Sequence, residues 1–234
     1  MRIAVFSDVH GNRYALDTFL EQVMPKVDCA VFCGDAVGYY YHANEVLTKL
    51  REDRRIFCLI GNHDRMLSGV IEGTQDRQTL VSRYGNAYSA SLSVLDPVNY
   101  ICLKLWGSFF EFEIDGVKVA CAHGSLEDSL DGRIYPDTRI NQKVYKQYDY
   151  VFLGHTHHRM MQIVGQTFIV NPGSLGQPRD DHGSSYLILD TTEKEISFYS
   201  LEYDSVHLES EVTQFDQNNR YLLDSVRKLR HCIG

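Results

Sequence analysis

The chain has 234 residues, 44% hydrophobic and 23% charged, which is ordinary globular composition with enough apolar material for a sizeable core. Its formal net charge of −8 excludes nucleic-acid binding through a general basic face, and with it a long nucleic-acid track. No apolar run approaches the roughly 18 residues of a membrane span, and the opening MRIAVFSDVHGN, interrupted by Asp8 and His10, does not read as a signal peptide, so a cytoplasmic location without membrane association is expected.

RIAVFS (2–7) reads as a buried strand. The helical spacing of Leu16, Phe19, Leu20 and Val23 predicts a helix over 12–23. CAVFCG (29–34) is a second strand, ANEVLTKLRED (43–53) a second helix and RIFCLIG (55–61) a third strand. This rhythm predicts a largely buried sheet with helices against it. Residues 65–95 read as helical and polar, interrupted at Gly69, Gly73 and Gly85. The stretch 108–124 reads as a hairpin turning at Asp115-Gly116. A short helix over 138–148 has Thr138 as its cap. A strand over 149–154, hairpins over 160–171 and 184–202, and a helical tail from about Ser205 complete the chain. No repeat or linker divides it, so one domain over 1–234 is expected. The cysteines Cys29, Cys33, Cys58, Cys102, Cys121 and Cys232 lie mostly in apolar runs and are expected to be reduced core thiols.

The chemistry sits where the strands end. The first ends in Ser7-Asp8-Val9-His10-Gly11-Asn12, the second in Gly34-Asp35 and the third in Gly61-Asn62-His63-Asp64. The hairpin strand ends in Ala122-His123-Gly124 and the next in Gly154-His155-Thr156-His157. Each piece alone is an ordinary turn, cap or satisfied polar residue. Five strand ends that all carry metal-competent or acid–base groups are another matter, because ligands in open α/β sheets bind beyond the carboxyl ends of strands.

This ordered set, D-x-H, G-D, G-N-H-D, H and G-H-x-H, resembles the calcineurin-like metallophosphoesterase superfamily. GDAVGYY, HGS and NPGSLGQPRD resemble its small bacterial and archaeal phosphodiesterase branch, and the likeness runs from about Arg2 to Asp190. The resemblance implies an α/β fold of two packed mixed β-sheets, a β-sandwich flanked by helices. It implies two divalent transition-metal ions: Asp8, His10 and His157 would bind one, Asn62, His123 and His155 the other, and Asp35 would bridge them. Such oxygen and imidazole donors suit Mn, Fe, Zn, Ni or Co. A bridging water, deprotonated there, would attack phosphorus in line with the leaving group. His63 would stabilise or protonate the departing alkoxide, and Asp64 would either orient His63 or cap a helix. Arg179, Asn12, Tyr39 and Ser174 are the candidate substrate contacts. Where the family usually continues GDxVGY with Gly-Pro, this chain has Tyr40-Tyr41-His42, which leaves the pocket's shape open. His42, His158, His182 and His207 have no role in the pattern.

The expected substrate is a small phosphate ester or a short nucleotide, and the expected activity is that of a phosphodiesterase. A phosphomonoesterase is the alternative, although the segment after Asp35 lacks the phosphate-gripping arginine of the protein phosphatases. A nuclease for short oligonucleotides and a non-catalytic interaction scaffold complete the range. Oligomeric state is open.

Overall fold

Strand β1 (Arg2–Phe6) sets the architecture. Ile3 and Val5 point to one face and Ala4 and Phe6 to the other, and all four are buried. A strand buried on both faces needs a layer on each side. Ile3 and Val5 pack in an apolar cluster with Val119, Cys121, Phe152 and Val170 of a second sheet, while Ala4 and Phe6 pack against helices.

The computed structural model describes residues 1–231, so Cys232 lies outside the described residues. After β1 come α1 (Arg13–Gln22), β2 (Cys29–Phe32), α2 (Ala43–Glu52) and β3 (Ile56–Cys58). Four helices follow: α3 (Asn62–Ile71), α4 (Arg77–Tyr84), α5 (Ala87–Val94) and α6 (Pro97–Leu105). The second half holds β4 (Phe109–Ile114), β5 (Val117–Ala122), α7 (Gln142–Tyr145), β6 (Tyr150–Phe152), β7 (Arg159–Val164) and β8 (Thr167–Pro172). Then come β9 (Ser185–Asp190), β10 (Glu195–Ser200), α8 (Val206–Phe215) and α9 (Arg220–His231).

The strands form two five-stranded sheets, ordered β10-β9-β1-β2-β3 and β4-β5-β6-β8-β7. Each is mixed: in the first, parallel β1, β2 and β3 meet the antiparallel pair β9 and β10, and in the second, parallel β5, β6 and β8 form the centre between antiparallel edges β4 and β7. The expected two packed mixed sheets flanked by helices are thus the observed fold. Helices α8 and α9 pack Leu208, Val212, Leu222 and Val226 against Tyr39, Tyr40 and Tyr41.

Local readings differ in two places. The single helical stretch over 65–95 is three helices, broken where Gly73 and Gly85 take positive φ, and α6 follows. The start of α6 is signalled by Asp96, whose side chain accepts from the Val98 N–H, and by Pro97 in the first turn. Thr138 caps no helix. It closes a turn by accepting the Tyr135 N–H, and the shorter α7 is capped by Asn141.

Candidate metal centre

The two sheets deliver the candidate ligands to one seam. Asp8 and His10 follow β1, Asp35 follows β2 and Asn62 opens α3 after β3. His123 follows β5, and His155 and His157 follow β6. Five of these residues, Asp8, His10, Asp35, His155 and His157, have φ between 52° and 67°. Left-handed backbone is uncommon for residues with a Cβ, costs about 1–2 kcal/mol each, and clusters at functional sites. Here it re-aims side chains that an extended strand end would splay apart. Gly61 belongs to the same geometry, because a Cβ there would overlap Oδ1 of Asp35.

Backbone carbonyls fix the imidazoles. Nδ1 of His10 donates to Val37 O (2.9 Å), Nδ1 of His123 to Cys33 O (2.7 Å) and Nδ1 of His157 to Gln177 O (2.6 Å). A carbonyl only accepts, so each of these Nδ1 atoms carries a proton and each Nε2 is free for a ligand. Nε2 of His10 and Nε2 of His157 lie 3.0 Å apart. Unless one takes an additional proton, two lone pairs face each other at that distance, and a cation removes the conflict.

The carboxylates divide their oxygens similarly. Oδ1 of Asp35 accepts the His63 N–H (2.8 Å), and Oδ2 of Asp8 accepts the His155 N–H (3.1 Å). The other oxygens accept no hydrogen bond and face only ring nitrogens, Asp8 Oδ1 3.2 Å from His157 Nε2 and Asp35 Oδ2 3.3 Å from His123 Nε2, and His155 Nε2 is buried without a hydrogen-bond partner. Leaving such groups unpaired is costly. Asp8, His10, Asp35 and His157 form one close group of ligand atoms, and Asp35, His123 and His155 another. Asn62 Oδ1 joins the second group, 3.0 Å from His123 Nε2. The donor set fits two divalent ions sharing Asp35, with no thiolate involved.

The protonation states also fit. Burial opposes charge on Asp8 and Asp35, yet the surrounding imidazoles hold both carboxyls well below the usual carboxylate range. Burial lowers His155 and His157 to about 4, so both are neutral. Burial works to lower His123 as well, but the Asp35 and Asp8 carboxylates raise it to about 9. In the metal-free protein at neutral pH, His123 must therefore give up a proton before it can act as a ligand.

Comparison with known proteins agrees with this geometry: residues 1–194 match the calcineurin-like phosphoesterase superfamily domain. The chain belongs to the calcineurin-like phosphoesterase superfamily. An uncharacterized protein of Methanocaldococcus jannaschii is 29% identical over 225 residues, covering 86% of this chain and 88% of that one. A phosphodiesterase of the same archaeon is 25% identical over 178 residues, 74% of this chain and 83% of that one. The crystal structure of a metallophosphoesterase from Sphaerobacter thermophilus matches with a TM-score of 0.78 at 25% identity, over 97% of this chain and 98% of that one. Membership in this calcineurin-like family carries phosphoester hydrolysis and the use of divalent metal ions.

The remaining candidates of this phosphoesterase divide into those at the ligand cluster and those that hold its frame. The His63 ring sits 4.8 Å from that of His10 and 5.1 Å from that of Tyr39. Arg179 Nη2 donates to the Tyr39 hydroxyl (3.0 Å), which places the guanidinium beside the cluster. Asp64 does not orient His63. Its carboxylate accepts the backbone N–H groups of Asp35, Val37 and Gly61 at 2.9–3.0 Å and caps α3, so the capping reading holds. Asn12 caps α1 and donates to Gly176 O and the Tyr203 hydroxyl. Ser174 donates to Asp8 O and accepts the Gln177 N–H. Both side chains are spent on the frame around the ligands rather than offered to a substrate.

Three tyrosines escape a sequence reading. The hydroxyl of Tyr88 meets His63 Nδ1 at 2.7 Å. The Tyr84 ring packs 4.6 Å from His63, and the Tyr221 ring of α9 lies 6.0 Å from Tyr39. No spacing rule links these residues to the motifs. The unusual Tyr40-Tyr41-His42 has a structural role: Tyr41 donates to Asp216 (2.7 Å) and His42 pairs with Glu211 (2.8 Å), docking α8 and α9. His207 stacks on Tyr14, His158 meets Tyr135, and His182 is exposed.

Proposed function

We propose that this protein is a metal-dependent phosphodiesterase acting on small phosphate esters or short nucleotides at a binuclear centre. The observation that carries the reading is the pair of acceptor-lined ligand groups sharing Asp35, with oxygens on Asp8 and Asp35 that accept no hydrogen bond and face the ring nitrogens of the same groups. Asp8, His10, His157 and Asp35 would hold one ion; Asn62, His123, His155 and Asp35 the other. When bound, such ions supply Lewis-acid charge and a water of lowered pKa. Mn, Fe, Zn, Ni and Co all suit the donors, and manganese is our first choice for reconstitution.

The chain's own groups do the rest. Asp35 and Asp8 keep their ionised carboxylates fixed by accepting the backbone N–H groups of His63 and His155. Arg179, held by Tyr39, is placed to pair with a non-bridging phosphoryl oxygen. His63 would stabilise the leaving oxygen as a hydrogen-bond donor. The absence of an arginine in Gly34-Asp35-Ala36-Val37-Gly38-Tyr39-Tyr40 and the archaeal phosphodiesterase relative favour diesters over monoesters. A cytoplasmic setting suits the five free cysteines among the described residues, and no helix there is long and apolar enough to cross a membrane.

The test uses metal-stripped protein refilled with Mn, assayed on bis-nitrophenyl and mononitrophenyl phosphate. We expect metal-dependent turnover that favours the diester and falls at least about 100-fold in Asp35→Asn, with lost metal content. Preference for the monoester would replace the diesterase reading with a phosphatase. Failure to bind metal at all would leave a non-catalytic scaffold.

A further inference from the structure

Among the described residues, the His63 ring has no carboxylate partner; Asp35 takes its backbone N–H. In a carboxylate's place stands Tyr88 of α5, with its hydroxyl 2.7 Å from Nδ1 and its ring parallel to the imidazole at 6.2 Å. Tyr88 is 1% exposed, so water cannot take over that contact. Its other neighbours are acceptors at longer range, the His63 carbonyl at 3.5 Å and the Met66 sulfur at 3.8 Å. The O–H therefore has one good acceptor, Nδ1. Burial pushes the phenol well above its usual range, which keeps the proton on the oxygen.

The tyrosine is itself held. Asp216, in the turn between α8 and α9, accepts the Asn86 backbone N–H with both oxygens (3.1 and 3.0 Å) and the Asn86 side-chain amide (3.2 Å). Asn86 is the residue on which α5 begins, two positions before Tyr88.

We propose that Tyr88 is the positioning residue of His63: by donating to Nδ1 it leaves the ring proton on Nε2, the atom left to hydrogen-bond the leaving oxygen. A carboxylate in that place would accept from Nδ1–H and turn the lone pair of Nε2 toward the leaving oxygen. The tyrosine, by donating to Nδ1, instead presents Nε2–H to the leaving oxygen as a hydrogen-bond donor, with no proton transferred. This rests on the phosphoesterase reading above, in which His63 serves the leaving group.

Two measurements test it. The first reads the His63 tautomer by nitrogen NMR of histidine-labelled, zinc-loaded protein, with His63→Ala used to assign the signal. The wild type is expected to show a single Nε2–H tautomer, and Tyr88→Phe a mixture. The second compares a diphenyl phosphate ester, with its poor leaving group, against bis-nitrophenyl phosphate. Tyr88→Phe is expected to lower kcat about 10-fold on the former with KM within about twofold, to leave the latter unchanged, and to add nothing in a His63→Ala background. An Nδ1–H tautomer in the wild type, or a tautomer unmoved by Tyr88→Phe, would overturn the proposal. So would equal losses on both esters, or a loss that persists without His63. A wild-type protein that turns over neither ester would overturn the phosphoesterase reading and the catalytic use of Tyr88 with it, while the tautomer arm would still decide the contact.

Discussion

At position 64 one carboxylate gathers three backbone donors from two segments that carry ligands: Asp35 and Val37 beside one, Gly61 beside Asn62. An acidic residue after Asn-His suggests a histidine partner, yet three N–H groups outcompete one imidazole for two oxygens. Asp64→Asn sets an amide NH2 against at least one of those donors. We expect it to destabilise the protein by about 2–3 kcal/mol, seen as a lower denaturation midpoint, and to weaken metal retention. Turnover per metal-loaded molecule should stay near wild type; a fall in that quantity with stability intact would return Asp64 to the chemistry.

Among the elements, α5 matters most for its small size, since eight residues place one hydroxyl on His63. Its start depends on Asp216, which also accepts from Tyr41. Asp216→Ala should cost about 1–2 kcal/mol, as the loss of a cap does, and should reproduce in weaker form the leaving-group dependence expected of Tyr88→Phe. Stability loss without that kinetic signature would separate α5 from His63. The strands were legible in the sequence because apolar runs such as RIAVFS and CAVFCG stop abruptly at polar residues, and the seven candidate ligands stand at those stops. Tyr88 was not legible, because its partner lies 25 residues away and the meeting depends on how α4 and α5 turn at Gly85. Nor was the choice of tautomer, which backbone carbonyls of Val37, Cys33 and Gln177 make from distant parts of the chain.

For the whole molecule, the ligand set is drawn from both sheets: Asp8, His10, Asp35 and Asn62 from one, His123, His155 and His157 from the other. Ions bound at the seam would join the sheets as well as serve chemistry. Metal-loaded protein should unfold at a higher temperature than stripped protein. At a free metal concentration 100 times Kd the gain is about 2.7 kcal/mol per site, or a midpoint shift of roughly 5–10 °C for a chain of this size. Calorimetry before and after chelation checks this, and an unchanged midpoint would mean the sheets close without the ions. The left-handed residues at the seam have an evolutionary consequence. A glycine at His155 or His157 would relax the backbone in the same step that deletes a ligand. Selection for stability and selection for hydrolysis therefore pull these codons in opposite directions. A gene copy released from its catalytic duty would lose its histidines early and keep its sandwich, so inactive descendants of such a chain should be recognised by intact strands with glycine or asparagine where the ligands stood.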